Sequence, residues 1–130
     1  MSAQVTIRHI KGITFLEVSG RITLGEGSVT LRDAIQDALD TGTKKLVLDM
    51  SNVNYMDSSG LGELTTAYRS ARDNACDLKL LGLTKRIDDL MQITKLATLF
   101  DVYSTEQQAL SSFESGFSES STNLTIDSYR

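Results

Sequence analysis

The sequence predicts an α/β domain with a mixed sheet of four or five strands, covered by helices mainly on one face. Apolar residues recur at helical spacing in several segments, which is typical of amphipathic helices. Short continuous apolar runs separate these segments, and such runs are typical of strands buried on both faces of a parallel sheet. Two strand-like segments joined by a short turn come first and predict an antiparallel hairpin.

The hairpin is predicted from residues 5–7 and 13–18, which flank the turn residues Lys11 and Gly12. Both segments are rich in β-branched and apolar residues, and the link between them is short. We therefore expect them to pair with each other at one edge of the sheet.

The first helix is predicted from apolar positions that fall on one helical face. Ser28 or Thr30 is the candidate N-cap, and Gly42 is placed to end the helix. A buried strand at residues 46–48 follows, so strand, helix and strand should form a βαβ unit. The apolar positions of this helix are Leu31, Ala34, Ile35, Ala38 and Leu39.

Helix and strand continue to alternate through the rest of the folded region. A second helix is predicted over 61–71, a strand at 78–81 and an edge strand at 100–103. Between the two strands, Thr84 is expected to cap a third helix that buries Ile87, Leu90 and Met91. A final helix is expected to start with a capping box formed by Ser104 and Gln107 and to bury Ala109, Leu110 and Phe113.

Residues 1–113 are expected to form a single folded domain, and residues 114–130 a flexible C-terminal tail. The tail is rich in serine and has too few apolar residues to build a core. The length of 130 residues is in the usual range of one domain.

The composition contains few of the groups that catalysis uses. His9 is the single histidine and Cys76 the single cysteine, which excludes an intramolecular disulfide, a thiolate cluster and a histidine-rich metal site. We expect no metal, no cofactor and no enzymatic activity. The net charge of −4 argues against a nucleic-acid partner. No segment resembles a signal peptide or a membrane span, so we expect a cytoplasmic protein.

The densest motif occupies residues 49–64, which we expect to run from a buried strand through a loop into the second helix. In open α/β sheets, functional sites lie at this carboxyl edge of the strands. Ser58 and Ser59 stand at the expected start of the helix, where free N–H groups and the helix dipole favour an anion. The simplest structural role of either serine is to cap that helix.

Residues 53–62, Val-Asn-Tyr-Met-Asp-Ser-Ser-Gly-Leu-Gly, resemble the signature of STAS domains, the sulfate-transporter and anti-sigma-factor-antagonist family. Within that family the string is most similar to the stand-alone bacterial anti-sigma factor antagonists. A weaker likeness extends from residue 4 to about 113 and includes the turn at Gly20, Arg21 and Ile22. The serine-rich tail lies outside it.

The resemblance implies a partner-switching protein in transcription regulation. Its unphosphorylated form would bind an anti-sigma factor that is also a serine kinase, and would thereby release a sigma factor. The kinase would phosphorylate the serine directly after the aspartate, and a serine phosphatase would reverse this. That serine is Ser58, ahead of its neighbour Ser59. The added charge would act at an interface and leave the fold unchanged.

The resemblance also implies a partner surface made of two segments and part of the second helix. Members of the family often carry an acidic residue where Thr23 stands, so this chain departs from the pattern there. The implied contact residues are Gly20, Arg21, Ile22, Thr23, Asp57, Ser58, Ser59, Gly60, Leu61, Gly62, Glu63, Thr66 and Arg69.

Three other functions are compatible with parts of the sequence. A response-regulator receiver would use Asp49 as its phosphoacceptor, but no acidic pair follows the first strand. A serine hydrolase would need a Gly-x-Ser-x-Gly elbow, which Ser58 lacks, and a base, for which only His9 is present. A non-enzymatic STAS scaffold, or an accessory subunit of a stress-sensing complex or membrane transporter, remains the alternative within the family.

Overall fold

Five strands form one mixed sheet whose spatial order follows the chain, β1-β2-β3-β4-β5. The computed structural model describes residues 3–119, with side chains through residue 114. The first two strands are antiparallel and every later pair is parallel, which confirms the predicted α/β class. The elements are β1 (Ala3–Ile10), β2 (Ile13–Ile22), α1 (Glu26–Asp40), β3 (Lys45–Met56), α2 (Ser58–Asp73), β4 (Asp77–Leu81), α3 (Lys85–Ile93), a 3-10 turn (Leu96–Thr98), β5 (Val102–Tyr103) and α4 (Glu106–Glu119).

The turn of the N-terminal hairpin is confirmed at Lys11 and Gly12, which have φ angles of 52° and 79°. Positive φ at both central residues is the backbone of a type I′ turn, whose twist matches that of the flanking strands. Ile10 therefore pairs directly with Ile13, and the register continues to the pair Ala3 and Gly20.

Alternation along the strands divides the apolar side chains between two cores. The first core lies between the sheet and helices α1, α2 and α3, and includes Leu16, Leu48 and Leu80. The second core lies on the opposite face under α4, where Phe15 meets Phe113. Successive residues of a strand point to opposite faces, so each central strand contributes to both cores. One face thus carries three helices and the other carries one, as predicted.

Strand β3 is longer than predicted, because it continues past residue 48 to Met56. Its second half pairs only with β2, up to the pair Ile22 and Met56, while its pairing with β4 ends at Asp49. This half is open to solvent on one side, which accommodates the polar residues that suggested a loop. The region from residue 49 to 56 is therefore strand.

The capping residues predicted for the starts of two helices, α1 and α4, are wrong. Helix α1 begins at Glu26 after Gly25, so Ser28 lies buried in the first turn instead of capping it. The capping box of α4 stands one residue later than predicted, because the Thr105 hydroxyl accepts from the Gln108 N–H and the Gln108 side chain accepts from the Thr105 N–H.

Two other predicted helix boundaries are confirmed. The Thr84 hydroxyl accepts from the N–H of Ile87 and caps α3. Gly42 follows the end of α1 with a φ of 86°, the left-handed conformation that glycine adopts without strain.

Helix α4 continues through Glu119, beyond the expected domain boundary at residue 113. It is held to the sheet by Arg8, which pairs with both Glu17 and Glu106, and by the buried Lys79, whose Nζ lies 3.1 Å from the Ser112 hydroxyl. Of the expected tail, residues 120–130 lie outside the described residues. None of the helices in residues 3–119 has the length and apolar character that a membrane span requires.

Candidate functional site

Asp57 stands between β3 and α2 and is the N-cap of α2. Its Oδ1 accepts hydrogen bonds from the Ser59 N–H at 2.9 Å and the Gly60 N–H at 3.2 Å. The expectation that Ser58 or Ser59 caps the helix is therefore wrong. An ionised carboxylate accepts both N–H groups, whereas a serine in the first turn competes poorly with it.

The other oxygen of the same carboxylate reaches a different part of the chain. Asp57 Oδ2 accepts from the N–H of Leu24 at 3.0 Å, in the loop between β2 and α1. The Asp57 N–H donates to the Ile22 carbonyl at 3.3 Å. These bonds join the two segments that the sequence predicts as one surface.

The hydrogen bonds to Asp57 lower the pKa of its carboxyl group to about 2. The largest cause is the Ser59 hydroxyl, which donates to Oδ1 at 2.6 Å, followed by the N–H of Leu24. Each of these donors stabilises the charged form. A full negative charge therefore sits at the start of α2 at neutral pH.

The two serines have different surroundings. Ser59 is half-buried and its hydroxyl is engaged with Asp57. Ser58 is exposed, and its hydroxyl has no hydrogen-bond partner among the side chains described, which extend through residue 114. The Ser58 hydroxyl is therefore accessible at this edge, whereas the Ser59 hydroxyl is held in a short hydrogen bond to Asp57.

Gly60 allows α2 to approach the end of β2. A Cβ at this position would lie 2.5 Å from Met56 Cγ and 2.7 Å from the Ile22 carbonyl oxygen. The second of these is a backbone atom and has little freedom to move. Gly62, one half-turn further along, has open space around the same position. Of these two glycines, only Gly60 is required by the packing of α2 against β2.

The other predicted contact residues differ in how far solvent reaches them: some are buried, some partly accessible and some exposed. Ile22 and Gly60 are buried, so they support the surface from beneath. Gly20, Thr23 and Leu61 are partly accessible. Glu63 is partly accessible and pairs with Arg32 of α1 at 3.0 Å. The exposed residues are Arg21, Ser58, Gly62, Thr66 and Arg69.

Sequence reasoning missed Leu24, Tyr55 and Arg86 at this edge. Leu24 is 81% exposed, the largest exposure among the large apolar residues described. The guanidinium groups of Arg21 and Arg86 lie 4.6 Å and 5.9 Å from the centroid of the Tyr55 ring. For Leu24, the only signal in the sequence was an isolated leucine beside Gly25. Tyr55 and Arg86 are brought to this edge only by the fold.

Asp49 and His9, the residues considered for a receiver and for a serine hydrolase, do not form such sites among the described residues. Asp49 lies within β3 and accepts from the N–H and hydroxyl of Ser51. His9 pairs with Thr14, which in turn pairs with Leu46 at the start of β3. The parallel strands thus separate His9 from Ser58 by their full length.

The single cysteine is also unsuited to nucleophilic chemistry. Cys76 is buried. Burial is the main cause that raises the pKa of its thiol to about 11. A thiol with such a pKa is almost entirely protonated at neutral pH.

The family model described as STAS domain matches residues 4–109 of the chain. The anti-sigma-B factor antagonist of Listeria monocytogenes is 33% identical over 86 residues, which is 63% of this chain and 75% of that protein. An anti-sigma factor antagonist from Mycobacterium paratuberculosis has a TM-score of 0.76 at 22% identity, covering 87% of this chain and 95% of its own. The Bacillus cell fate determinant SpoIIAA in its phosphorylated form has a TM-score of 0.65 at 18% identity, and the match covers 85% of this chain and 99% of that chain.

Proposed function

This chain belongs to the STAS domain family, and we propose that it is an anti-sigma factor antagonist whose partner binding is controlled by phosphorylation of Ser58. The observation that carries the proposal is the free, exposed hydroxyl of Ser58 directly after the Asp57 cap. The 33% identity to a protein named anti-sigma-B factor antagonist supports the assignment. A protein of similar fold is described in a phosphorylated form.

In the unphosphorylated form, the exposed residues around Ser58 are free to meet an anti-sigma factor that is also a serine kinase. Arg21 and Leu24 on one side and Gly62 and Thr66 on the other are accessible. Residues beneath them are fixed by the Asp57 hydrogen bonds, so little ordering is needed on binding. Occupying the kinase in this way would release its sigma factor.

Phosphorylation would add about 1.5 to 2 negative charges next to the ionised Asp57. The Ser59 and Gly60 N–H groups are already bonded to Asp57, so they are not free to receive the phosphate. The phosphate would then project towards the partner, which would have to desolvate it. Binding should fail for this electrostatic reason.

The fold should tolerate this modification. Helix α2 is capped by Asp57 and not by Ser58, and Ser58 makes no side-chain contact that the core needs, since its side chain is exposed. Phosphorylation is then a change of surface charge alone. The protein would return to its binding state when a serine phosphatase removes the group.

We propose that the protein is a substrate of its partner and not itself an enzyme. The only histidine, His9, is at the opposite end of the strands from Ser58, and the Asp57 carboxylate is a poor base because its pKa is about 2. The acidic net charge of −4 favours a protein partner over nucleic acid.

The test begins with capture of partners from native extract by the wild-type protein and by Ser58→Asp. The retained kinase is then purified and supplied with ATP and either Ser58→Ala or Ser59→Ala. We expect Ser58→Ala to stay unmodified and Ser59→Ala to be phosphorylated. Full modification of Ser58→Ala would refute the assignment, and retention of only a permease or a large scaffold would support the alternative within the family.

Binding of Ser58→Asp is the second part of the test. Its affinity for the purified kinase should be at least about tenfold weaker, since a negative charge would face the partner. Its melting temperature should stay within a few degrees of wild type. Unchanged affinity in titration calorimetry would show that charge at residue 58 does not control binding.

A further inference from the structure

Arg21, Tyr55 and Arg86 form a cluster at the end of strands β2 and β3. Arg21 and Tyr55 are paired residues of β2 and β3, so their side chains leave the same face of the sheet. The Arg21 guanidinium lies 4.6 Å from the centre of the tyrosine ring, and that of Arg86, from α3, lies 5.9 Å from it. We call these three side chains the arginine–tyrosine cluster.

The cluster borders the segment that carries Ser58. Tyr55 precedes Asp57 by two positions, and the carbonyl of Ile22, next to Arg21, accepts from the Asp57 N–H at 3.3 Å. Helix α3 is anchored at the same place, because the Thr84 hydroxyl lies 3.4 Å from the Val53 carbonyl. The cluster and Ser58 therefore share one edge of the sheet.

Arg21 and Arg86 lack the acidic partners that some other arginines have. Arg8 pairs with Glu17 and Glu106, and Arg32 pairs with Glu63. Among the side chains described, which extend through residue 114, no carboxylate lies within 4.0 Å of the guanidinium of Arg21 or Arg86, and the same holds for Arg69 and Arg72, but only Arg21 and Arg86 share one ring. Two like charges gathered on one ring repel each other, and an anion placed between them would relieve that repulsion.

Both guanidinium carbons lie within about 6 Å of the Tyr55 ring centre, the range in which a cation is attracted to an aromatic face. Each guanidinium carries its N–H donors in a planar fork. Such a fork matches a carboxylate with two parallel hydrogen bonds. Because the ring restricts the side chains before binding, less rotamer entropy is lost when the anion arrives.

We propose that the arginine–tyrosine cluster binds the carboxylates of an acidic segment of the partner kinase. This inference rests on the proposed function, since the cluster lies beside the surface assigned to that partner. Charge complementarity selects the occupant: the chain is acidic overall, with a net charge of −4, yet it presents two unmatched cations at this point. An acidic segment of the partner is attracted to this pair of cations.

The experiment compares Arg21→Glu/Arg86→Glu with Arg72→Glu as a matched control. Arg72 also stacks on a tyrosine, with its guanidinium 5.8 Å from the Tyr68 ring centre, but at the far end of α2. The double variant should bind the purified partner kinase at least about tenfold more weakly at low salt, and the difference should shrink at high salt. The control should stay within about twofold of wild type.

A defined probe gives an answer that does not depend on the kinase. Hexaglutamate peptide is titrated into the wild-type protein while the arginine Nε–H signals are followed by NMR. The signals of Arg21 and Arg86 should shift and saturate, and that of Arg72 should move little. Equal movement of all three, or no movement, would overturn the inference.

The outcomes separate this inference from the proposed function. If the wild-type protein binds no kinase, the proposed function fails. If it binds and Ser58→Asp disrupts binding while the double charge reversal has no effect, only the arginine–tyrosine cluster is refuted. If the double variant instead lowers only the melting temperature of protein phosphorylated at Ser58, the arginines receive that phosphate and the partner's carboxylates are excluded.

Discussion

The Asp57 carboxylate holds the backbone N–H of Leu24 at 3.0 Å while its other oxygen caps helix α2. One side chain therefore ties the loop after β2 to the helix that carries Ser58. Since Leu24 is 81% exposed, this bond holds an apolar side chain outward beside the candidate phosphorylation site. The bond thus helps to shape the surface proposed for the partner.

The Asp57 bonds should make stability depend on pH in the acidic range. The pKa of this carboxyl is lowered from 3.8 to about 2 in the folded protein. A lowered acid pKa stabilises the fold above the unfolded value, and this contribution is lost as pH falls from about 4 to about 2. Urea denaturation should show wild type more stable than Asp57→Asn at pH 6, with the gap closing near pH 2. A gap that is constant over this range would contradict the prediction.

Ser59 should control the pKa of Asp57, and Ser58 should not. The Ser59 hydroxyl is the largest cause of the lowered pKa, while the Ser58 side chain points to solvent. Ser59→Ala should therefore raise the pKa of Asp57 towards its ordinary value, as followed by NMR titration of the carboxyl carbon. Ser58→Ala serves as the control and should leave it unchanged. An equal effect of both substitutions would mean that the two hydroxyls share the bond.

Gly60 and Gly62 form a matched pair for a packing test. Gly60→Ala would force a Cβ against the Ile22 carbonyl and Met56, and should lower the free energy of unfolding by about 1–3 kcal/mol. Gly62→Ala meets open space and should be neutral or stabilise by up to about 1 kcal/mol through helix propensity. Chemical denaturation measures both. Equal stability of the two variants would show that α2 does not need its close approach to β2.

Truncation should locate the C-terminal limit of the domain. Phe113 is the last residue of the second core among the side chains described, and it is 5% exposed. Cutting after residue 114 should leave the melting temperature within a few degrees of wild type. Cutting after residue 108 removes Ala109 and Phe113 from the core and should lower it strongly, since burying such side chains is a main source of stability. A large loss from the first cut would place later residues in the fold.

Local chemistry was enough to predict several parts of this protein. The alternation in β1, the mostly apolar run of β2, the helical spacing of α1 and α2, and the turn at Lys11 and Gly12 follow from steric and hydrophobic rules that act over a few residues. The capping boundary at Thr84 follows from the same kind of rule. The Ser58 motif was also readable, because its residues are contiguous.

Other parts depended on neighbours that are distant in the chain. The second half of β3 is strand because β2 supplies its hydrogen bonds, although its polar residues suggest a loop. Besides capping α2, Asp57 accepts from the N–H of Leu24, which precedes it by 33 positions. Neither the β2–β3 pairing nor the Asp57–Leu24 bond can be predicted from the spacing of apolar residues in the sequence.

The sequence by itself determined the α/β class, the order of the elements and the choice of the Asp-Ser-Ser-Gly segment, because these depend on residue type and short-range spacing. The tertiary structure decided which serine is free, which glycine is needed and which arginines lack an acid. Those properties depend on distances between strands and helices that meet only when the sheet is assembled. Hydrogen bonds and close contacts at that edge, unlike hydrophobic patterns, require both partners to be in place.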